Sequence, residues 1–188
     1  GNLPTGDRDP FALRRHALGV IRMLVEKTLP LDLDALLRAT LPAFEHKITD
    51  ASAALADFIY ERLAGSLREQ GYRTQEVDAV LALRPQRLAE VQQRLEAVRA
   101  FAALPESAAL AAANKRVGNI LKKAGEVDPH VNPALFQEAA EKALYEALQK
   151  VAPSAQALFD AGDYTASLQT LAVLRAPVDA FFDGVMVN

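Results

Sequence analysis

The sequence predicts an all-α protein, a helical bundle of about eight to ten helices. Three observations predict it. Apolar residues recur at three- and four-residue spacing through almost every segment, and the strict alternation of a half-buried strand is found in none. Proline and glycine stand where those segments stop. Of the 188 residues, 51% are hydrophobic and 24% charged, which is enough for a sizeable core in one compact domain or two closely packed subdomains.

Residues 1–8 read as a linker from a preceding domain, and residues 9–125 as an N-terminal helical part. Asp9 suits an N-cap, with Pro10 in the first turn, where its missing N–H costs nothing. The apolar set Phe11, Leu18, Ile21 and Val25 follows until Pro30 ends the helix. A short helix is expected from about Asp32 to Leu41, stopped near Pro42. A longer one opens near Thr49 or Asp50 and places Leu55, Phe58, Ile59, Leu63 and Leu67 on one buried face. Gly71 suits its left-handed C-terminal position, and Thr74 suits the cap of the next helix, Gln75 to Leu83, which Pro85 terminates.

Leu88, Val91, Leu95, Val98 and Ala102 then step by three and four, as a helix packed against a neighbour requires. An Ala-rich basic helix comes next, with Pro105 and Glu106 in its first turn. The loop at 126–133, rich in Asp, Pro and Asn after Gly125, is the best internal boundary. Beyond it, residues 134–188 form a C-terminal helical part, expected to pack with the preceding part as one compact domain. Its helices fall near Ala134 to Val151, Ser154 to Ala161, Tyr164 to Leu174 and Val178 to Val187. Their apolar sets include Leu144, Leu148, Leu158, Leu168, Leu171, Phe181 and Phe182.

Charge is distributed unevenly behind a formal net charge of −3. From Arg84 to Lys123 there are eight Lys or Arg against three Glu, whereas from Val131 to Asn188 three cations face seven acids. A phosphate backbone is therefore drawn to the middle of the chain. Within LAAANKRVGNILKK, Leu110 to Lys123, Lys115, Arg116, Asn119, Lys122 and Lys123 fall within an arc of roughly 120° at 3.6 residues per turn. Leu110, Val117, Ile120 and Leu121 take the far side. A solvated face whose cations favour the negative end of the helix dipole is one reading, and a polyanion-binding face is the other. The cationic surroundings favour the second.

Several chemistries have no carrier. The absence of cysteine removes disulfides, thiolate metal sites and cysteine nucleophiles. His16, His46 and His130 are scattered without metal-ligand spacing, and no phosphate loop, dinucleotide fingerprint or nucleophile elbow is present. Asp57 and Glu61, one helical turn apart, read as a solvated face rather than an acid/base pair. The sequence thus offers no catalytic site. No apolar run approaches a membrane span and GNLPTGDRDP has no signal core, so a cytoplasmic location is expected. That opening also does not look like an initiator end, and the chain reads as a piece of a longer polypeptide.

Weaker signals remain at three places. Asn114 lies at the edge of the apolar arc, either as a buried amide tying two helices together or as a group for base or backbone recognition. Tyr72 and Arg73 beside Gly71 offer an aromatic face and a cation, suited to stacking on an unpaired base or to packing. Gly162, Asp163, Tyr164 and Ala166 suggest one helix pair of a tetratricopeptide repeat, but no second copy follows.

Five strings decide between these readings: DPFALRRHALGV at Asp9 to Val20, VDAVLALRP at Val77 to Pro85, LAAANKRVGNIL at Leu110 to Leu121, EKALYEAL at Glu141 to Leu148 and PVDAFFDGVMV at Pro177 to Val187. In this order and spacing they resemble the C-terminal part of the beta subunit of bacterial glycyl-tRNA synthetase, over essentially the whole chain. The resemblance implies a helical, DALR-type anticodon-binding module, truncated at its C-terminus by one helix and lacking a preceding HD-like domain. It also implies glycine tRNA, the synthetase alpha subunit and the rest of the beta subunit as partners. Glycine activation, with ATP and Mg2+, then belongs to the alpha subunit, and no cofactor belongs to this chain.

On that reading Lys115, Arg116, Lys122 and Lys123 neutralise phosphates, Asn119 and Asn114 offer amides to base edges, and Tyr72 with Arg73 offers a stacking face. Arg14 and Arg15 lock the first helix to a carboxylate or to the preceding domain. The alternative is a helical scaffold that docks a subunit or domain without touching tRNA.

Overall fold

The computed structural model describes residue 9, residues 11–45 and residues 47–185, and among these it is helical, with a single isolated bridge between Asp32 and Arg87. Nine α-helices are found among the described residues: α1 Leu13–Glu26, α2 Leu33–Thr40, α3 Ser52–Glu69, α4 Thr74–Leu81, α5 Val91–Ala102, α6 Ser107–Ala124, α7 Ala139–Asp160, α8 Tyr164–Leu171 and α9 Arg175–Gly184. The chain divides into two compact units, Gly1–Leu95 and Glu96–Asn188. That division falls inside α5. The loop expected to separate two parts at 126–133 lies within the second unit, because α6 before it packs against α9 after it. The expected linker at 1–8 and the positions of Pro10, His46 and Val187 lie outside the described residues.

In the first unit α3 touches α1, α2 and α4, and α1 also meets the 3-10 turn Leu88–Glu90. Leu33, Val77, Leu88 and Leu95 are fully buried, and Val91 is 1% exposed. The start of α1 differs from expectation. Asp9 does cap it, its carboxylate accepting from the N–H groups of Leu13 at 2.8 Å and Arg14 at 3.0 Å. The Ala12 N–H donates to the Asp9 carbonyl, however, and the helix begins only at Leu13. Phe11 therefore stands in a turn, 66% exposed, while Ala17, Ile21 and Leu24 supply the buried face.

Helix α3 is also turned slightly from its expected face. Leu55 is 42% exposed and Tyr60 is buried. Burial of Tyr60 is tolerable because its hydroxyl donates to the Pro85 carbonyl at 3.1 Å and its ring carries the Arg84 guanidinium at 4.7 Å. Burial pushes the Tyr60 phenol up from its ordinary value.

At the end of α3, Gly71 has φ +91°; its N–H donates to Arg68 and that of Tyr72 to Leu67, the paired bonds that close a helix with a left-handed residue. The same pair closes α1 with Thr28 at φ +50° in the glycine position, which no residue-type rule announces. Thr74 is not the cap of α4. It is the first helical residue, and Glu76 performs the closing task by accepting from the Arg73 N–H at 2.9 Å.

The second unit is thinner. Its buried side chains are Ala97, Val151, Ala155, Tyr164, Ser167, Ala172 and Leu174, and α7 packs on α8 and α9. Two expected helices, 134–151 and 154–161, prove to be one α7 with Pro153 inside it. A proline there removes one backbone bond and costs about 3 kcal/mol, offset by seating Val151 and Ala155 on a single helix against α8. The Ser167 hydroxyl adds a bond to the Ala155 carbonyl at 2.8 Å. Residues 133–135 form a 3-10 turn instead of the start of that helix, and 172–174 another after α8. Leu148, expected in the apolar set, is 40% exposed.

Candidate nucleic-acid interface

Helix α6 owes its existence to propensity more than to burial. Ala108, Ala109 and Ala111 to Ala113 fill its first half at no side-chain entropy cost, and none of its residues is buried. It rests on α9 and on the turn 172–174. The apolar stripe is only partly covered: Leu110 and Ile120 are half-buried, while Val117 is 41% and Leu121 49% exposed. Lys122 and Lys123 occupy its last turn, where cations complement the carbonyl end, and Gly125 at φ +74° follows.

The outward arc is present but its members differ in kind. Lys115, Asn119, Lys122 and Lys123 are exposed, and no ion pair engages the three lysines among the described residues. Arg116 is held differently, with its guanidinium 4.1 Å from the centre of the Phe182 ring on α9, and Phe182 in turn meets Phe181 edge-on at 5.4 Å between ring centres. The helical wheel has no means of showing this anchor, because Phe182 is distant in sequence. Asn114 is exposed and is not the buried inter-helix amide that one reading required.

The cationic middle of the chain is divided between the two units. Arg84 pairs with Asp57 at 2.6 Å, Arg87 with Asp32 at 3.3 Å and Arg94 with Glu90 at 3.0 Å, all in the first unit. Asp57 is therefore half of an ion pair, and Glu61 lies against Arg62. Tyr72 and Arg73 also belong to the first unit. Tyr72 is half-buried beside its glycine, and the Arg73 side chain is bound at 2.9 Å to Glu76, whose side chain is 4% exposed. Arg73 thus neutralises a buried acid at the start of α4, while the basic residues of α6 stand in the other unit.

The loop after α6 is exposed from Gly125 to Leu135. Asp128 accepts from the His130 N–H at 2.9 Å and faces the imidazole Nδ1 at 3.0 Å, and the backbone bond holds its carboxyl below the ordinary value. Further on, Glu141 accepts from the N–H groups of Glu138 and Gln137, which lowers its carboxyl in the same way. Among the described residues no three His, Asp or Glu side chains gather as a metal ion would need, and no helix is long and apolar enough to cross a membrane.

What α6 offers is a row of exposed cations with an amide among them. Exposed ammonium groups of this kind can meet anionic oxygens, and an exposed amide can both donate and accept hydrogen bonds. Comparison with known proteins gives the setting. Residues 1–82 match the family described as glycyl-tRNA synthetase beta subunit. Over all 188 residues the chain is 80% identical to the glycine–tRNA ligase beta subunit of Acidovorax sp. (strain JS42), covering 26% of that protein. It is 79% identical to that of Acidovorax ebreus (strain TPSY), again covering 26%, and 79% identical to that of Paracidovorax citrulli (strain AAC00-1), covering 27%. The chain spans about a quarter of the length of these relatives. The matches do not support the expectation that the quarter in question is the C-terminal one.

Proposed function

We propose, for a chain that belongs to the glycyl-tRNA synthetase beta-subunit family, that the outer face of α6 binds the anticodon arm of glycine tRNA. The observation that carries this reading is the set Lys115, Lys122 and Lys123, exposed and engaged in no ion pair among the described residues, with the Asn119 amide between them. Without carboxylate partners these lysines add little to the fold beyond what Lys122 and Lys123 give the carbonyl end of the helix. They are available to phosphates, where each contact releases counterions and adds affinity. Arg116 contributes its charge from a fixed position over Phe182, and Asn119 with Asn114 supplies the discriminating amides. The anticodon arm is preferred over other parts of the tRNA because the sequence strings resemble a DALR-type module.

On this reading the segment binds and orients tRNA in the cytoplasm, and glycine activation with ATP and Mg2+ is left to the alpha subunit. Tyr72 and Arg73 take a secondary place. Arg73 is committed to Glu76, so a stacking role in the first unit would fall to Tyr72.

The test is a nuclease footprint of glycine tRNA on the full-length subunit together with the alpha subunit. Protection of the anticodon arm is expected with the native chain and is expected to be lost with Lys115→Ala/Lys122→Ala/Lys123→Ala. Anticodon-arm protection that survives the triple substitution, with an intact helical spectrum, would refute the assignment.

A further inference from the structure

The first unit carries a feature that tRNA binding does not use. Helices α1, α2 and α3 enclose an apolar groove of about 550 Å³. Leu24, Leu37 and Ile59 form its floor, at 3%, 7% and 2% exposure, and Met23, Leu31 and Leu55 form its rim at 57%, 42% and 42%. Only His16 and Thr40 bring polar side chains to the lining, and the Thr40 hydroxyl is already bonded to the Leu37 carbonyl at 2.6 Å. Apart from the His16 imidazole, a groove of this composition offers little to a phosphate or an exposed peptide group. It fits an apolar helix face, whose own backbone bonds are internal, laid between helices in the manner of helix-in-groove recognition. Leaving such a rim in water forgoes the burial that a soluble chain normally takes.

We propose that the groove is occupied by a helix with an apolar face from the remainder of the same beta subunit. The commitment rests on length and linkage. The chain spans only 26% of its relatives, so about three quarters of such a subunit lies outside it. A segment joined covalently to the groove competes at an effective concentration on the order of millimolar, which a separate subunit at cellular concentration does not match. The proposal is independent of the role given to α6, which lies in the other unit.

The test introduces Met23→Cys into the full-length beta subunit and measures maleimide labelling on the peptide that carries position 23, at a concentration where sedimentation shows a monomer. Met23 is a rim residue, so its substitution leaves the floor intact; Leu55→Cys repeats the test from the opposite wall. Ala79→Cys, on the exposed side of α4, reports unhindered labelling. Labelling at both groove positions at least ten-fold slower than at position 79, in the subunit alone, is expected. Fast labelling in the subunit alone that slows only on adding the alpha subunit or tRNA assigns the groove to that partner and overturns the proposal. Slow labelling only at concentrations where a second copy is bound, or fast labelling under every condition, overturns it as well.

Discussion

The two units solve the same problem with unequal means. The largest fully buried side chains (Leu33, Leu88, Leu95, Val77 and Val91) are all in the first unit, whose arginines at 84, 87 and 94 are paired with carboxylates. The second unit buries fewer and smaller groups, and its lysines on α6 engage in no ion pair among the described residues. Residues committed to packing and ion pairs are costly to change and free of other duties, whereas uncommitted ones are cheap to change and available to a partner. Positive charge alone does not separate the two classes. Eight cations between positions 84 and 123 look alike in the sequence, and only their partners sort them.

Substitutions test that contrast, beginning with the largest. Leu33→Ala or Leu88→Ala, each at 0% exposure, is expected to lower stability by about 2–5 kcal/mol in chemical denaturation followed by circular dichroism. Leu121→Ala on α6, where the side chain is 49% exposed, is expected to cost well under that. Equal losses at the two kinds of site would erase the distinction between the units.

Next in size come losses of single polar contacts. Tyr60→Phe removes the bond to the Pro85 carbonyl and is expected to cost roughly 1 kcal/mol, more if that carbonyl is left without a partner. Asp163→Ala removes the carboxylate that accepts from the Ala166 N–H at the start of α8 and is expected to cost about 1 kcal/mol. A midpoint unchanged in either variant would mean that the bond is made equally well by water.

The smallest expected effect is one of pH. The Glu141 carboxyl is lowered by the N–H groups of Glu138 and Gln137. A group with a depressed folded value contributes stability that is complete above its unfolded value and is lost as pH falls through the folded one. Glu141→Gln should therefore differ from the native chain at neutral pH and converge with it in acid. Parallel pH profiles would remove Glu141 from the start of α7.

Helix content and most boundaries were legible because periodicity and Pro/Gly punctuation report local preference. Pro153 shows the limit: its residue type argues for a break, but packing of α7 against α8 overrides it. Thr28 shows another, since the local bond pair that closes α3 at Gly71 here places a β-branched residue at φ +50°, where residue type argues for glycine. For the candidate site, the arc of Lys115, Asn119, Lys122 and Lys123 followed from helix geometry alone. The anchoring of Arg116 on Phe182 and of Arg73 on Glu76 did not, the first because its partner is distant in sequence, the second because burial of Glu76 is a tertiary fact.

The most direct measurement is the salt dependence of glycine tRNA binding by the full-length subunit, native against Lys115→Ala/Lys122→Ala/Lys123→Ala. If the three lysines meet phosphates, the slope of log affinity against log salt becomes shallower by roughly 2 on the single-strand scale, with thermal stability nearly unchanged. An identical slope in the two proteins would contradict the claim that these lysines are reserved for tRNA.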